Sequence, residues 1–313
     1  MLTIGVDIGG TNVRAAVVDA AGEELARQGA PSPAHDWPAM REQILTSVAA
    51  LRSEHDVAAV GVGAAGMVDR DGVIHYAPNV PGFLGTPVRA EIAAATGLPT
   101  VVDNDANAAA WGELVHGAAR GVRDALVITL GTGVGGGIVS DGRVLRGAHG
   151  FAAEVGHFTV DPNGPRCACG EVGHWEAVAS GTALGRMARD AARLGDAPAV
   201  LKAAGGDPEA VLGTHVTEAG RAGAPDALAL VDRYAAAVAV GLVGLANILD
   251  PEIIVVSGGL VEEGDLLLGP VRAAFDGHLE GAQYRPTPKI VAAGLGGRAG
   301  TIGAAAMARE LVG

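Results

Sequence analysis

Residues 2–19, LTIGVDIGGTNVRAAVVD, place two short apolar segments on either side of a Gly-Gly-Thr turn. Their spacing predicts one strand over 2–8 and a second over 13–19. A similar stretch, LVITLGTGVGGGIVS, occupies residues 126–140. We interpret the two stretches as copies of one unit, a strand, a Gly-Thr turn and a strand, although two glycine turns can also coincide in a chain that has no repeat.

Strands and helices alternate along the rest of the chain. Further strands are predicted over 23–28, 57–63, 100–103, 253–256 and 289–293. Helices are predicted over about 37–54, 88–96, 178–194, 208–218, 225–248 and from about 300 to the end. A further Ala-rich helix is predicted after DNDAN at 103–107 and ends near His116. Interleaved strands and helices predict an α/β fold.

The composition disfavours nucleic-acid and membrane partners. The chain has 313 residues, a formal net charge of −13 and only two lysines, Lys202 and Lys289, whereas phosphate-backbone contacts need clustered basic side chains. No run of about 18 apolar residues is free of glycine or charge, so no transmembrane helix is predicted. The N-terminal residues also lack the pattern of a secretory signal. These features predict a cytoplasmic protein with a small-molecule partner.

One glycine motif matches a dinucleotide-binding fingerprint but lacks its context. GVGAAG at 61–66 follows a predicted strand, yet the next residues predict a hairpin with an Asp71-Gly72 turn instead of a helix. The chain also has no G-x-x-x-x-G-K-[ST] phosphate loop. Any phosphate would therefore be held by backbone N–H groups.

The two Gly-Thr turns are candidates for that task. Glycine allows successive amides to converge on an anion, and Thr11 and Thr132 each add a hydroxyl donor. Asp7, at the end of the first strand, could orient a hydrated Mg²⁺. The alternative is that both turns are ordinary hairpin turns.

Asp103-Asn104-Asp105 lies where a strand meets a helix. A helix cap accounts for one of these three polar residues. A carboxylate at the end of a strand is also well placed to accept a hydroxyl proton during phosphoryl transfer, and a neighbouring Asn can orient substrate hydroxyls.

The only two cysteines, Cys167 and Cys169, are separated by one residue. A disulfide between them would close a small, strained loop and stabilise little. Metal ligation needs further ligands from neighbouring residues, and two reduced, unliganded thiols remain the alternative.

These motifs together resemble the ROK family of bacterial sugar kinases and repressors, and most closely its actinobacterial-type ATP-dependent glucokinases. The resemblance covers essentially the whole chain. It is carried by DIGGT at 7–11, DNDAN at 103–107, LGTGVGGG at 130–137, EVGH at 154–157 and CACG at 167–170. The most specific element is Glu-x-Gly-His followed, ten residues after the His, by Cys-x-Cys-Gly-x-x-Gly.

The resemblance implies an actin/hexokinase-like, ribonuclease H-like fold with two α/β lobes around a central cleft. The lobes would be residues 1–118, joined by a C-terminal helix over 300–313, and residues 119–299, with the nucleotide site and a zinc-binding loop. The implied activity is ATP-dependent phosphorylation of glucose at its 6-hydroxyl, giving glucose 6-phosphate and ADP, with Mg²⁺ and one structural Zn²⁺.

Site residues carry over by position. Asp105 would be the general base. Sugar contacts would come from Asn79, Asn104, Asp105, Glu154, His157 and Glu176. Nucleotide contacts would come from Asp7, Gly9, Gly10, Thr11, Asn12, Thr132, Gly133, Gly258 and Gly259. The zinc ligands would be His157, Cys167, Cys169 and His174.

The sequence departs from the family pattern at two of these positions. Most members have cysteine at the position of His174, and many have lysine at the position of Asn12. The first change need not abolish the metal site, because two Cys and two His form an ordinary tetrahedral zinc set. The exchange of cysteine for histidine at position 174 does affect the expected affinity for zinc.

Other functions within the family remain open. A sibling kinase could act on mannose, fructose or an N-acetylated amino sugar, or could use polyphosphate as donor. A repressor would need a helix-turn-helix segment ahead of the first Gly-Thr turn, which begins here at Gly9, so the sequence favours a kinase. Family analogy favours a homodimer or homotetramer.

Overall fold

The computed structural model describes residues 1–78, 80–259 and 261–313. The strands are β1 (Leu2–Ile8), β2 (Asn12–Val18), β3 (Glu24–Pro31), β4 (Val57–Ala64), β5 (Met67–Val68), β6 (Ile74–Tyr76), β7 (Thr100–Asn104), β8 (Ala125–Leu130), β9 (Val134–Ser140), β10 (Arg143–Val144), β11 (Ile253–Ser257) and β12 (Lys289–Ala292). The helices are α1 (Trp37–Arg52), α2 (Val88–Thr96), α3 (Asp105–Val115), α4 (Glu176–Ala179), α5 (Gly181–Leu194), α6 (Pro198–Ala203), α7 (Gly213–Arg221), α8 (Pro225–Leu249), α9 (Asp265–His278) and α10 (Ala299–Arg309).

The strands form two five-stranded sheets with equivalent strand orders. The first sheet has the order β3-β2-β1-β4-β7 and the second has the order β10-β9-β8-β11-β12. In both sheets the first strand of a Gly-Thr unit is central, the next two strands lie on one side of it, and two later strands lie on the other. The equivalent orders confirm the internal repeat and the predicted α/β class.

The chain divides into two compact units, each described separately below. Unit 1 is Met1–Val127, Gly137–Ala153 and Ala293–Gly313, and unit 2 is Ile128–Gly136 and Glu154–Ala292. This division differs from the lobes expected at 1–118 and 119–299, because β8 and β9 contain residues of both units and β10 belongs to unit 1. The C-terminal helix α10 belongs to unit 1.

Alternation along β1 gives the first sheet two buried faces. Ile4, Val6 and Ile8 are fully buried in a core that also contains Met40 and Ile44 of α1. On the opposite face, Thr3 Oγ1 donates a hydrogen bond to the Ala305 carbonyl of α10 at 2.8 Å. The sheet of unit 1 is therefore covered by α1 on one side and by α10 on the other.

Glycines allow the backbone of α10 to lie directly on the sheet and on α3. A methyl group at Gly5 would lie 1.8 Å from the Thr301 carbonyl oxygen, and one at Gly61 would lie 1.8 Å from that of Ala304. At Gly303 of α10 a methyl group would lie 1.7 Å from the Ala108 carbonyl oxygen of α3. No side chain fits at these three positions without a shift of backbone.

Two sequence-predicted elements differ in the structure. The helix predicted over 178–194 is two helices, α4 and α5, because Ser180 adopts an extended backbone and its side chain caps α5 by accepting the Ala183 N–H. The helix predicted over 208–218 is a short 3-10 turn followed by α7. Ser is a preferred cap residue, so the break at 180 follows local chemistry that the apolar periodicity conceals.

Helix α8 is long and apolar enough to cross a membrane by length and composition alone, with a mean hydropathy of 1.7 over its apolar window. Half of that window is buried inside the protein. Tyr234, Val238 and Leu242 are fully buried, and the ring of Trp175 lies against Gly241, where a methyl group would be 2.0 Å from it. In this structure α8 is a core helix of unit 2.

The contact at Gly303 generates a stability prediction. Gly303→Ala places a methyl group against the backbone of α3, and we expect it to destabilise unit 1 by about 3 kcal/mol because the neighbouring atoms cannot move aside. Thermal unfolding should shift down by roughly 5 °C or more. The matched control is Gly269→Ala in α9, where no atom lies within 4 Å of the added methyl group. Equal melting temperatures for the two variants would contradict the packing argument.

Candidate functional site

The carboxyl ends of three neighbouring strands carry the candidate site residues of unit 1. β1 is parallel to β4, and β4 is parallel to β7. The register aligns Asp7 with Gly63 and Gly63 with Asp103. Gly63 places no side chain between the two acidic residues, and a Cβ there would lie 3.2 Å from the Ala108 Cβ and 3.5 Å from the Asp105 Cα, so the start of α3 packs directly against this position.

Asn104 and Asp105 are held by the start of α3. Asn104 Oδ1 accepts hydrogen bonds from the N–H groups of Ala106 and Asn107, at 2.8 and 3.1 Å, so Asn104 is the helix cap. Its Nδ2 donates to the Gly66 carbonyl at 3.0 Å. Asp105 Oδ1 accepts the Ala106 N–H at 2.9 Å. Among the described residues, Asp105 Oδ2 has no hydrogen-bond donor, so this oxygen is available to a substrate.

Asp103 is buried, and both of its oxygens are hydrogen-bonded. Oδ1 accepts from the Asn104 N–H at 2.8 Å and from Asn107 Nδ2 at 2.9 Å, and Oδ2 accepts from Arg146 Nε at 2.6 Å. This network fixes the strand end that precedes Asp105. The sequence marks Asp103 as a capping candidate, and no local pattern points to Arg146, which is 43 residues away along the chain.

The two half-buried carboxylates of this strand edge influence each other. The pKa of Asp7 is raised to about 6, first because burial desolvates the carboxylate and then because Asp105 repels it, with an opposing attraction from Arg14. Desolvation also raises the pKa of Asp105, opposed by the Ala106 N–H. Like charges close together favour the protonated form of at least one of them. Asp7 and Asp105, assigned to different roles from the sequence, therefore lie in one electrostatic site.

The first Gly-Thr turn leaves backbone donors available. The Gly9 N–H donates to the Asn12 carbonyl at 3.0 Å and closes the turn. In the described part of the chain, the N–H groups of Gly10 and Thr11 have no backbone acceptor. Gly10, Thr11 and Asn12 are exposed. This turn can offer two amides to an anion. Asn79, the remaining sugar-contact candidate of unit 1, lies outside the described residues.

The second Gly-Thr turn lies in unit 2 and contacts a predicted sugar ligand. Glu176 Oε2 accepts the Val134 N–H at 2.9 Å, and a Cβ on Gly133 would lie 2.3 Å from the same oxygen. The carbonyl of Thr132 accepts a hydrogen bond from Thr182 Oγ1 at 2.7 Å. The structure thus brings Thr132 and Gly133 together with Glu176, and a side chain at Gly133 would disturb both groups. Val134 and the three glycines 135–137, which follow the Gly-Thr turn in the sequence, lie in strand β9.

Gly258 and Gly259 follow β11, the neighbour of β8 in the second sheet. Gly258 has a positive φ of 95°, and a Cβ there would lie 2.3 Å from the Leu130 carbonyl oxygen, so this position requires glycine. Gly259 is exposed, and no described atom lies within 4 Å of its added Cβ. The protein itself leaves the space beside Gly259 open.

Unit 2 also contains a cluster of two imidazoles and two thiols. One donor atom each of His157, Cys167, Cys169 and His174 lies within 4.8 Å of the others. His157 Nδ1 is 3.3 Å from His174 Nδ1 and 3.8 Å from Cys167 Sγ, and Cys169 Sγ is 3.2 Å from His174 Nδ1. Tetrahedral Zn–N and Zn–S bonds require donor separations of roughly 3.3–3.8 Å. The three separations lie near this range, and two Cys with two His are an ordinary zinc ligand set, so the cluster is compatible with a zinc ion.

Local backbone structure brings these four ligand candidates together. Thr159 pairs with His174 in an antiparallel bridge, which returns the chain to the vicinity of His157. A second bridge, between Arg166 and Val172, closes the turn that carries both cysteines. Trp175 is fully buried, and its Nε1 donates to the Ala237 carbonyl of α8 at 3.1 Å.

Glu176 connects the cluster to the second Gly-Thr turn. Its Oε1 lies 3.3 Å from Cys167 Sγ, while Oε2 accepts the Val134 N–H. Glu154 precedes the 3-10 turn Val155–His157, and its carbonyl accepts the His157 N–H at 3.0 Å. The site residues predicted in unit 2 thus lie along one continuous set of contacts, with the exception of Gly258 and Gly259.

A repeated sheet topology with a glycine turn after each first strand, and with acidic residues at the strand ends, defines an actin- and hexokinase-like α/β protein. The ROK family model matches residues 3–311. The chain belongs to the ROK family.

Three similar proteins show the extent of this match. The chain is 44% identical over 312 residues to a glucokinase from Streptomyces coelicolor, covering 99% of this chain and 98% of the relative. It is similar to a crystal structure of a ROK family glucokinase from Streptomyces griseus in complex with glucose and AMPPNP, with 43% identity and a TM-score of 0.87, covering 99% of this chain and 100% of the other. A ROK hexokinase from Thermus thermophilus is 35% identical, with a TM-score of 0.82, covering 100% of this chain and 99% of the other.

The raised pKa of Asp7 generates a pH prediction. Its pKa is higher in the folded chain, about 6, than its ordinary value of 3.8, so ionised Asp7 destabilises the fold. The stability that the fold has with protonated Asp7 is fully present below about pH 4 and is lost as the pH rises through 6. At pH 7.5 we expect the free energy of unfolding of Asp7→Asn to exceed that of the wild type by on the order of 2–3 kcal/mol, so that the variant unfolds at higher denaturant. At pH 4 the two proteins should differ little.

The measurement is denaturant unfolding of both proteins, without nucleotide, between pH 4 and 7.5. Glu42→Gln, which neutralises an exposed acid on α1, serves as the control and should show a small, pH-independent difference. If the difference between Asp7→Asn and wild type were equally independent of pH, the assignment of a raised pKa to Asp7 would be wrong.

Proposed function

We propose that this chain is an ATP-dependent glucokinase, which transfers the γ-phosphoryl group of ATP to the 6-hydroxyl of glucose and releases glucose 6-phosphate and ADP. The observation that carries the proposal is the position of Asp105, a half-buried carboxylate at the end of β7 with one oxygen free. The full-length similarity to glucokinases supports the choice of substrates.

Asp105 acts as the general base in this proposal. Its free Oδ2 accepts the 6-hydroxyl proton while the hydroxyl oxygen bonds to the γ-phosphorus and the bond to the bridging oxygen of ADP breaks. Desolvation raises the pKa of Asp105, which makes the carboxylate a stronger proton acceptor than an exposed aspartate. The helix cap formed by Asn104 and the Asp103–Arg146 ion pair hold the base in position, so little reorganisation accompanies proton transfer.

Sugar hydroxyls are held by Asn104, Glu154, His157 and Glu176, with Asn79 as a further candidate outside the described residues. His157 faces the candidate metal cluster through Nδ1, which leaves Nε2 for a hydroxyl group. Glu176 contacts the second Gly-Thr turn. A sugar held by Glu176 would therefore lie next to a phosphate held by Thr132 and Gly133.

ATP is held by the two Gly-Thr turns. Gly9, Gly10, Thr11 and Asn12 form one turn, Thr132 and Gly133 form the other, and Gly258 and Gly259 leave room for the adenine. Asp7 has no hydrogen bond among the described residues, and its only ion pair, with Arg14, is 3.9 Å long. Such a carboxylate fits the hydrated Mg²⁺ that accompanies ATP, which supplies charge neutralisation at the phosphates.

The cluster of His157, Cys167, Cys169 and His174 holds one structural Zn²⁺ in this proposal. Zinc would fix the loop that carries these residues, and thereby His157 and the neighbouring Glu176. An enzyme that consumes ATP and glucose fits the cytoplasm. A homodimer or homotetramer remains a prediction from the family.

The first prediction tests the base. Asp105→Asn keeps the size of the side chain but cannot take up the proton, so kcat should fall on the order of 10²–10⁴-fold while the KM for glucose changes little. A coupled assay of ADP release with glucose, other hexoses, ATP and polyphosphate measures this loss and defines the substrate range. Asp276→Asn, an exposed site on α9, is the control. Near-normal kcat in Asp105→Asn would exclude the assigned role.

The second prediction tests the metal. Elemental analysis of the purified protein should find about one zinc per chain. His174→Cys preserves four ligands and should keep zinc and activity. His174→Ala leaves three ligands and should lose zinc and weaken glucose binding by about 10–100-fold before ATP binding changes. The control is His278→Ala at the exposed end of α9.

Wild-type protein without zinc that binds glucose fully would overturn the metal assignment. An alanine variant that retained zinc and normal glucose affinity would do the same, and would leave the two thiols without a ligand role.

A further inference from the structure

Unit 1 contains an open cavity of about 630 Å³ away from the Gly-Thr turn. Its walls come from α3, from β10 and the residues that follow it, and from the end of α10. Three arginines line it, namely Arg70, Arg143 and Arg146, together with Trp111 and Glu310. None of the residues assigned to sugar, nucleotide or metal lines this cavity.

The charge of the cavity is opposite to that of the chain. The chain carries 35 acidic and 22 basic side chains, yet three guanidinium groups line this cavity with one carboxylate, Glu310. Arg146 is also paired with a further acid, the buried Asp103. The cavity therefore carries a net positive charge. A positive concavity in an acidic protein concentrates anions locally.

Each arginine retains unused donors. Arg143 makes no side-chain hydrogen bond or ion pair with any described residue. Arg70 donates Nε and Nη2 to the Gly147 carbonyl, which leaves Nη1. Arg146 donates Nε to Asp103, and its Nη2 lies 4.0 Å from Met307 Sδ, which leaves Nη1. A guanidinium carries five N–H donors and can serve two acceptors at once.

Trp111 also lines the cavity. Its Nε1 is itself buried and has no hydrogen-bond partner in the described part of the chain, so the arginines alone offer donors to a molecule in the cavity. The unused donors of this cavity are thus all N–H groups, and the complementary ligand is rich in oxygen acceptors.

We propose that this cavity binds a small organic phosphate. Guanidinium forks match phosphate oxygens in bidentate geometry. A bare phosphate ion would leave most of the 630 Å³ to water. Val144 and Leu145 provide apolar wall for the carbon skeleton that carries the phosphate.

The cavity shares Arg146 with the catalytic network. A phosphate on Arg146 would neutralise part of the charge that holds Asp103, and would loosen the strand end before Asp105. Occupation of the cavity should therefore lower kcat. This consequence rests on the proposed glucokinase function, whereas binding of the organic phosphate does not.

Titration calorimetry tests the binding. The probes are inorganic phosphate and 3-phosphoglycerate, which has no sugar ring, added to protein saturated with glucose and AMPPNP so that the other phosphate sites are filled. We expect 3-phosphoglycerate to bind the wild type and to bind Arg143→Gln about 10-fold more weakly. Arg27→Gln, an exposed arginine on β3, is the control for net charge.

The proposal fails if 3-phosphoglycerate does not bind, if Arg143→Gln and Arg27→Gln bind it equally, or if it binds no more tightly than inorganic phosphate. The kinetic consequence is measured as kcat with and without 3-phosphoglycerate at saturating glucose and ATP. We expect about a 5-fold decrease in the wild type and no decrease in Arg143→Gln. A chain inactive on glucose would refute the proposed function while the calorimetric result stood independently.

Discussion

The backbone contact of α10 with the first sheet is the constraint on which unit 1 depends. At Gly5, Gly61 and Gly303 the added Cβ atom would overlap a carbonyl oxygen, so sheet, α10 and α3 approach at a distance that side chains would forbid. This approach fixes the helix on the face of β1 opposite the α1 core. It also places Gly300, at the start of α10, where a methyl group would lie 3.0 Å from the carboxyl carbon of Asp7.

The candidate site follows from this packing. With β1, β4 and β7 held in register, Asp7 and Asp103 flank Gly63, and α3 begins directly at Asp105. The electrostatic interaction between Asp7 and Asp105 is then a consequence of strand register. In unit 2 the equivalent role belongs to contacts of Glu176, which joins the cysteine turn to the second Gly-Thr turn.

Local sequence pattern predicted the elements well where hydrophobic alternation and turn residues agree. The bounds of β1 and α2 match the predicted ranges, and the repeat visible in two Gly-Thr stretches corresponds to two sheets of equivalent order. The pattern failed where a cap interrupts an apolar run, as at Ser180.

Site contacts that depend on tertiary structure were less accessible. The four metal-ligand candidates were predicted from a family resemblance. The spacing of the two cysteines alone is equally consistent with two reduced, unliganded thiols. The Asp103–Arg146 pair and the cavity beside it join segments far apart in the chain, and no local signal marks them. Three successive glycines, 135–137, are typical of a turn but lie in strand β9. Gly137 is glycine for a packing reason, since a Cβ there would approach the Cβ of Ala110 in α3 to 2.4 Å.

The packing of Trp175 limits how the loop of residues 157–176, which carries the four metal-ligand candidates, can change over evolutionary time. Its indole is anchored on α8, and the residue before it is paired with Thr159, so the backbone at position 174 is set by protein contacts. A donor at this position can therefore be exchanged, imidazole for thiolate, with adjustment limited to one side chain. Insertion or deletion between His174 and Glu176 has no such freedom, because one rigid ring fixes the spacing of both neighbours. The loop can drift in ligand chemistry while its length stays constant.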